Sequence, residues 1–154
     1  DLKANNILIH NIGNMTKNNL FKYKINNKTY IIPNIGFQIK IWDFDFACID
    51  NIVSNSKVNA EWTNRININT KKNRYYDVHY FFNTLSRKGF YSDFWETDKI
   101  DNSIKEFIKR IVPQKYRKGS NISKRGRLLV NDEYITPEKI ISEDPFFAKF
   151  RPKF

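Results

Sequence analysis

The chain has 154 residues, with 27 basic and 16 acidic side chains for a net charge of +11, and is 40% hydrophobic and 16% aromatic. These values exclude a disordered polypeptide and suit one domain with a real core. The lone cysteine, Cys48, excludes an intrachain disulfide, fits a reducing compartment, and reads as a small buried residue rather than a nucleophile. No apolar run approaches the ~20 residues that span a bilayer, and no signal peptide is visible. The positive charge favours polyanions such as nucleic acid, nucleotides or acidic proteins, although solvated Lys from an Asn-, Ile- and Lys-rich composition produces the same balance.

The first strand is expected over 5–10, a short apolar run read as buried. Leu20 to Ile25 and Lys28 to Ile32 alternate apolar and polar around Asn26-Asn27, which predicts a hairpin, since Asn tolerates the left-handed angles of a tight turn. After the turn signal Pro33-Asn34-Ile35-Gly36, a further strand runs from Phe37 to Trp42 and ends at Asp43. Residues 46–74 are rich in Asn, Ser, Thr and Lys, and read mostly as loop. Asp77 to Leu85 is apolar nearly all round, as a buried helix is. Asp98 to Val112 places Ile100, Ile104, Phe107, Ile108 and Ile111 at helical spacing, with Asp98 or Asp101 as cap and Pro113 just beyond. Residues 115–127 form a basic, Gly-containing loop. Thr136-Pro137-Glu138 opens a last short helix, with Thr as N-cap and Pro at its first position, and Asp144-Pro145-Phe146-Phe147 ends it.

Chemistry concentrates in two places. Asp1-Leu2-Lys3-Ala4-Asn5-Asn6 sets a carboxylate, an ammonium and an amide oxygen in one loop ahead of a strand. A second strand delivers Asp43-Phe44. A carboxylate can accept a hydroxyl proton, Lys can neutralise a moving phosphate, and Asn with Asp can hold Mg²⁺. Alone, the first motif is also what turn chemistry produces. Together, the two resemble the catalytic loop and metal-binding motif of a eukaryotic-type Ser/Thr protein kinase.

That resemblance implies roles. Asp1 is the catalytic base and Lys3 the residue that stabilises the transferring phosphate. Asn6 and Asp43 are the Mg²⁺ and nucleotide ligands, and ATP and Mg²⁺ are the cofactors. Tyr76-Asp77-Val78-His79 resembles the start of the long buried helix of the kinase C-lobe, with Asp77 a buried carboxylate accepting hydrogen bonds from the catalytic-loop backbone and His79 a packed core histidine. The end of the chain, from Thr136 to Phe147, resembles the closing helix of kinase domains. The hairpin between the two motifs, with Asp43-Phe44-Asp45-Phe46-Ala47, is similar to the divergent protein kinases of large DNA viruses.

The implied fold class is α+β: a kinase-like C-lobe, mainly helical, with short β-hairpins near the active site and the N-lobe absent. As one partial kinase domain over 1–154, it divides into a catalytic loop at 1–9, a hairpin insertion at 20–32, a metal-binding strand and motif at 37–46, an activation segment at about 46–74 and a helical C-lobe at 75–154. The chain starts without Met and in mid-motif, so it reads as a fragment whose Gly-rich loop and ATP-binding strand Lys lie elsewhere. The isolated chain is therefore expected to lack useful kinase activity. A protein substrate, ATP and the missing lobe are the implied partners, with no membrane, and the location is cytoplasmic, in host or virion.

Departures from the pattern are informative. Asp45 stands where Gly is usual, either as a further carboxylate near the metals or as a solvated or capping Asp. No Ala-Pro-Glu precedes Asp77. Ser54, Ser56, Thr63 and Thr70 are hydroxyls in the activation-segment region, with none singled out. The basic stretches Lys71-Lys72-Asn73-Arg74, Lys115 to Lys118 and Lys124 to Arg127 suit an acidic peptide, nucleic-acid phosphates, or solvent alone. Three alternatives to the protein kinase stay open: a pseudokinase scaffold, a small-molecule phosphotransferase of related fold, and a basic nucleic-acid module.

Overall fold

The computed structural model describes residues 1–13, 19–68 and 74–151. The fold is α+β. Strands β1 (Ile7–Asn11) and β4 (Phe37–Ile41) form one antiparallel pair, and β2 (Leu20–Ile25) and β3 (Lys28–Pro33) form another. Helices α1 (Tyr76–Leu85), α2 (Asn102–Ile111) and α3 (Pro137–Glu143) follow.

The β2–β3 hairpin turns on Asn26 and Asn27, at φ 47° and 64°. Two successive left-handed residues are what a two-residue loop matching the strand twist requires, and Asn adopts that region at low cost. The described residues within 46–74 hold one regular piece, a 3₁₀ turn over Glu61–Ile66. Helix α2 starts later than its apolar spacing suggests. The Asp101 carboxylate accepts from the Ser103 backbone N–H at 2.7 Å and so caps at residue 101, leaving Ile100 ahead of the helix yet still packed on the core. Thr136 caps α3 by accepting from the Lys139 N–H. The chain does not end its regular structure at Asp144-Pro145: a 3₁₀ turn, Pro145–Phe150, follows.

Aromatic side chains carry the core. Tyr75, Phe94, Phe107, Ile108, Ile111, Val112 and Ile140 form one buried cluster, against which Phe146 and Phe147 pack. Tyr76, Tyr80, Tyr116 and Leu128 form a second. Tyr134 joins the two, stacked on Tyr116 at 4.3 Å and edge-on to Tyr75 at 4.4 Å. Both clusters lie around the helices.

The strands are different. Leu8 is 46% and Ile9 67% exposed, so successive residues, on opposite faces of β1, both meet solvent. This corrects the expectation of a buried first strand. A two-stranded sheet buries a face only where another layer stacks on it; the β1–β4 pair stays open along its length, whereas β3 buries Tyr30 at 3% exposure, its hydroxyl reaching the Ile141 carbonyl.

Asp144 links α2 to the end of the chain. Its carboxylate accepts two bonds from the Arg110 guanidinium, at 2.9 and 2.8 Å, and one from the Phe146 N–H at 2.8 Å. The Arg110 bonds hold the Asp144 carboxyl below the usual carboxylate range. Asp144→Ala is expected to lower stability by about 1–3 kcal/mol, because it removes a bidentate pair and a cap together. Urea unfolding of the variant at pH 7 checks this, and an unchanged midpoint would contradict it.

Candidate active site

The β1–β4 pairing assembles the site. Its register sets Ile7 opposite Ile41, and the ladder continues one step further where the Trp42 N–H donates to the Asn6 carbonyl at 2.8 Å. Asn6 and Asp43, far apart in sequence, therefore leave adjacent strand ends. Before β1, residues Ala4–Asn6 make a single 3₁₀ turn in which the Asn6 N–H donates to the Lys3 carbonyl at 2.9 Å. This turn carries Lys3 across to the Asp43 side, with Lys3 Nζ 4.0 Å from Asp43 Oδ2. Asn6 is buried at 4% exposure, while the Asp43 side chain is 39% exposed.

All four predicted residues, Asp1, Lys3, Asn6 and Asp43, line one cavity of about 690 Å³. Asp43 takes φ 64°, a left-handed conformation that Asp tolerates better than most residues. The left-handed position is thus Asp43 itself and not the following Asp45, so the loss of Gly there costs no left-handed strain. Asp45 pairs with Lys57 and donates its N–H to Asp43 Oδ1 at 3.4 Å. Its carboxylate is the ion-pair partner of Lys57 and also lines the cavity.

Asp77 meets its expectation in part. Its Oδ1 accepts from the nitrogens of Asp1 and Leu2, at 2.5 and 3.0 Å, tying the first loop to the start of α1. It is not buried: its side chain is 62% exposed, because it opens onto the same cavity. His79 is wholly buried and its ring nitrogens face Tyr134 Oη at 3.0 Å and the Gly126 carbonyl at 3.1 Å. A carbonyl only accepts, so Nε2 carries the proton and Nδ1 accepts from the tyrosine. Burial pushes the His79 pKa down to about 4, so it is a neutral core residue at pH 7.

The structure also brings in a residue that the sequence left among basic loops. The Arg127 guanidinium donates to both oxygens of Asp1, Nε to Oδ1 at 3.0 Å and Nη2 to Oδ2 at 2.8 Å, across 126 residues. Both side chains are well covered, at 13% and 8% exposure. Other basic residues are paired too: Arg74 with Glu133 at 2.8 Å and Lys115 with Asp132 at 3.4 Å. Lys71, Lys72 and Thr70 lie outside the described residues. Thr63 is 1% exposed and donates to two backbone carbonyls, which removes it from the accessible hydroxyls. Cys48 is half-buried on the cavity wall rather than buried.

The donor set suits a hard divalent cation. The Asn6 amide oxygen and the Asp43 carboxylate, on one cavity, are the hard oxygen donors Mg²⁺ takes, with few protein ligands beside substrate phosphates and water. Among the described residues no group of three or more His, Cys, Asp or Glu side chains gathers to form an all-protein metal cage. No helix among them is long and apolar enough to cross a membrane.

Asp1, Lys3, Asn6 and Asp43 thus share one cavity between two paired strand ends and the start of a helix, on an α+β scaffold. A sequence profile of poxvirus serine/threonine protein kinases matches residues 1–146, and the chain belongs to that family. It is 53% identical over 154 residues to a protein of Acanthamoeba polyphaga mimivirus named as a serine/threonine-protein kinase. That alignment covers 98% of this chain and 33% of the relative, so the chain spans about a third of the length of the protein it matches. No solved structure matches.

Proposed function

We propose that the chain is the catalytic C-lobe portion of a serine/threonine protein kinase, transferring the γ-phosphate of ATP to a protein hydroxyl. The observation that carries this reading is the convergence of Asp1, Lys3, Asn6 and Asp43 on one cavity, within a family of that name. Asp1 orients and accepts the proton of the attacking hydroxyl. Lys3 offsets charge on the moving phosphoryl group. Asn6 and Asp43 hold Mg²⁺, which when bound neutralises the phosphates.

The exposed strands support a second lobe. Ile39, Ile41, Trp42 and Phe44 are each more than half exposed, beside the cavity. An apolar surface of this kind marks a contact with another body. An N-terminal lobe that completes the nucleotide pocket fits it, and the isolated chain is then inactive. Host cytoplasm or virion is the location this reading implies, and a viral kinase family supports it.

The test is Mg-ATP phosphotransfer by the whole natural protein onto Ser/Thr-containing polypeptides and onto a small-molecule panel. Labelling of polypeptide, and none by residues 1–154 alone, is expected. Transfer confined to small molecules would reject the protein substrate. Nucleotide binding without transfer would instead favour a scaffold. A nucleic-acid module predicts affinity that collapses with salt and ignores Asp1.

A further inference from the structure

The Asp1–Arg127 contact joins two segments that no local pattern connects. Arg127 is itself held from several sides. Its own N–H donates to Ser123 Oγ at 3.0 Å, and its guanidinium lies 5.1 Å from the Tyr80 ring centre. The preceding carbonyl, Gly126, accepts from His79 Nε2 at 3.1 Å and from Asn83 Nδ2 at 3.0 Å. Arg87 packs so closely on Gly126 that a Cβ there would sit 2.5 Å from its Nε, at a φ of 87° that already favours glycine. Helix α1 thus fixes the Arg127 loop through His79 and Asn83, while Asp77 of the same helix fixes the Asp1 backbone.

From this geometry we infer that Arg127 is the positioning residue for Asp1, clamping its carboxylate in the orientation from which it receives the substrate hydroxyl. The inference rests on the reading of Asp1 as the catalytic carboxylate. An ionised carboxylate offers about four lone-pair sites, and the guanidinium fork takes one on each oxygen. Each oxygen keeps a site for a substrate hydroxyl, so the clamp and the reaction are compatible. A fork also stops rotation of the carboxylate, which a single point contact does not.

Steady-state kinetics on the whole natural protein test this, with Arg127→Met, Arg127→Lys, Asp1→Asn and the double variant Asp1→Asn/Arg127→Met. Misplacing a reacting group by a fraction of an ångström to an ångström lowers turnover by up to about 100-fold. Arg127→Met is therefore expected to lower kcat by roughly that factor while the KM for ATP stays within about threefold. Arg127→Lys keeps the charge but not the fork and is expected to fall between, near 10-fold. In the Asp1→Asn background, Arg127→Met is expected to add nothing, since the two act as one unit.

Turnover of Arg127→Met and Arg127→Lys near wild type would overturn the inference. So would an equal loss from Arg127→Met in both backgrounds, which marks a merely structural arginine. Should Arg127→Met not fold, Arg127→Lys carries the test alone: wild-type kcat in that folded variant overturns the clamp. Wild-type turnover in Asp1→Asn is a different failure. It removes the kinase reading of Asp1, and the positioning role with it.

Discussion

Asp43→Ala is expected to lower Mg²⁺-dependent phosphoryl transfer by the whole protein on the order of 10³-fold, with little change in folding. The argument is local. On the proposed reading Asp43 and Asn6, both on the cavity wall, are the Mg²⁺ ligands, and Asp43 is the charged member of that pair. Its side chain makes little else: Lys3 Nζ is 4.0 Å away and the Asp45 N–H 3.4 Å away, both long contacts. At 39% side-chain exposure it buries little, so its loss opens no cavity. The left-handed φ of 64° is less favourable for Ala than for Asp, at a cost of about 1 kcal/mol. Asp43→Asn keeps the backbone preference and removes only the charge, and is expected to lose most of the same activity. Titrating Mg²⁺ against nucleotide binding separates the causes. Binding should weaken in both variants and recover partly at high Mg²⁺. Full Mg²⁺-dependent transfer in Asp43→Asn would reject Asp43 as a ligand.

Much of this site is legible from residues near one another in sequence, and little of what holds it is. The Asn26-Asn27 turn, the caps at Asp101 and Thr136 and the strand that leads to Asp43 all follow from local chemistry, since each involves a residue and its neighbours within a few positions. The meeting of Lys3, Asn6 and Asp43 follows once β1 pairs with β4. The Arg127 clamp does not. An ion pair over 126 residues leaves no periodicity, and Arg127 sits in a basic run that reads equally well as solvated charge. The one weak signal was Gly126 between two arginines, a position that φ of 87° and the nearby Arg87 now explain. The exposure of β1 and of Asp77 departs from sequence expectation for a common reason. An apolar strand and a helix-start carboxylate imply a covering layer, and sequence cannot say whether that layer lies within these residues.

His79 makes the stability of the fold depend on pH. Its ordinary pKa is 6.5, and in the folded protein burial, reinforced by the Arg87 charge, lowers it to about 4, against the opposing pull of the Gly126 carbonyl. Above pH 6.5 the ring is neutral in both states, and the folded arrangement has its full stability. As pH falls below 6.5 the unfolded chain takes up a proton that the folded chain refuses. Stability then drops by up to ~1.4 kcal/mol per pH unit until the folded ring also protonates near pH 4, a total of about 3 kcal/mol. Protonation also removes the acceptor that Tyr134 Oη uses at 3.0 Å, and Tyr134 joins the two aromatic clusters. Urea unfolding at pH 7, 6, 5 and 4 should show this slope, and His79→Gln, which cannot titrate, should lack His79's share of it. An identical slope in His79→Gln would reject the assignment. Because the same ring grips the carbonyl just ahead of Arg127, the loop that clamps Asp1 is expected to loosen with the core rather than after it. Acid loss of activity below pH 6 should therefore track the unfolding midpoint, not run ahead of it.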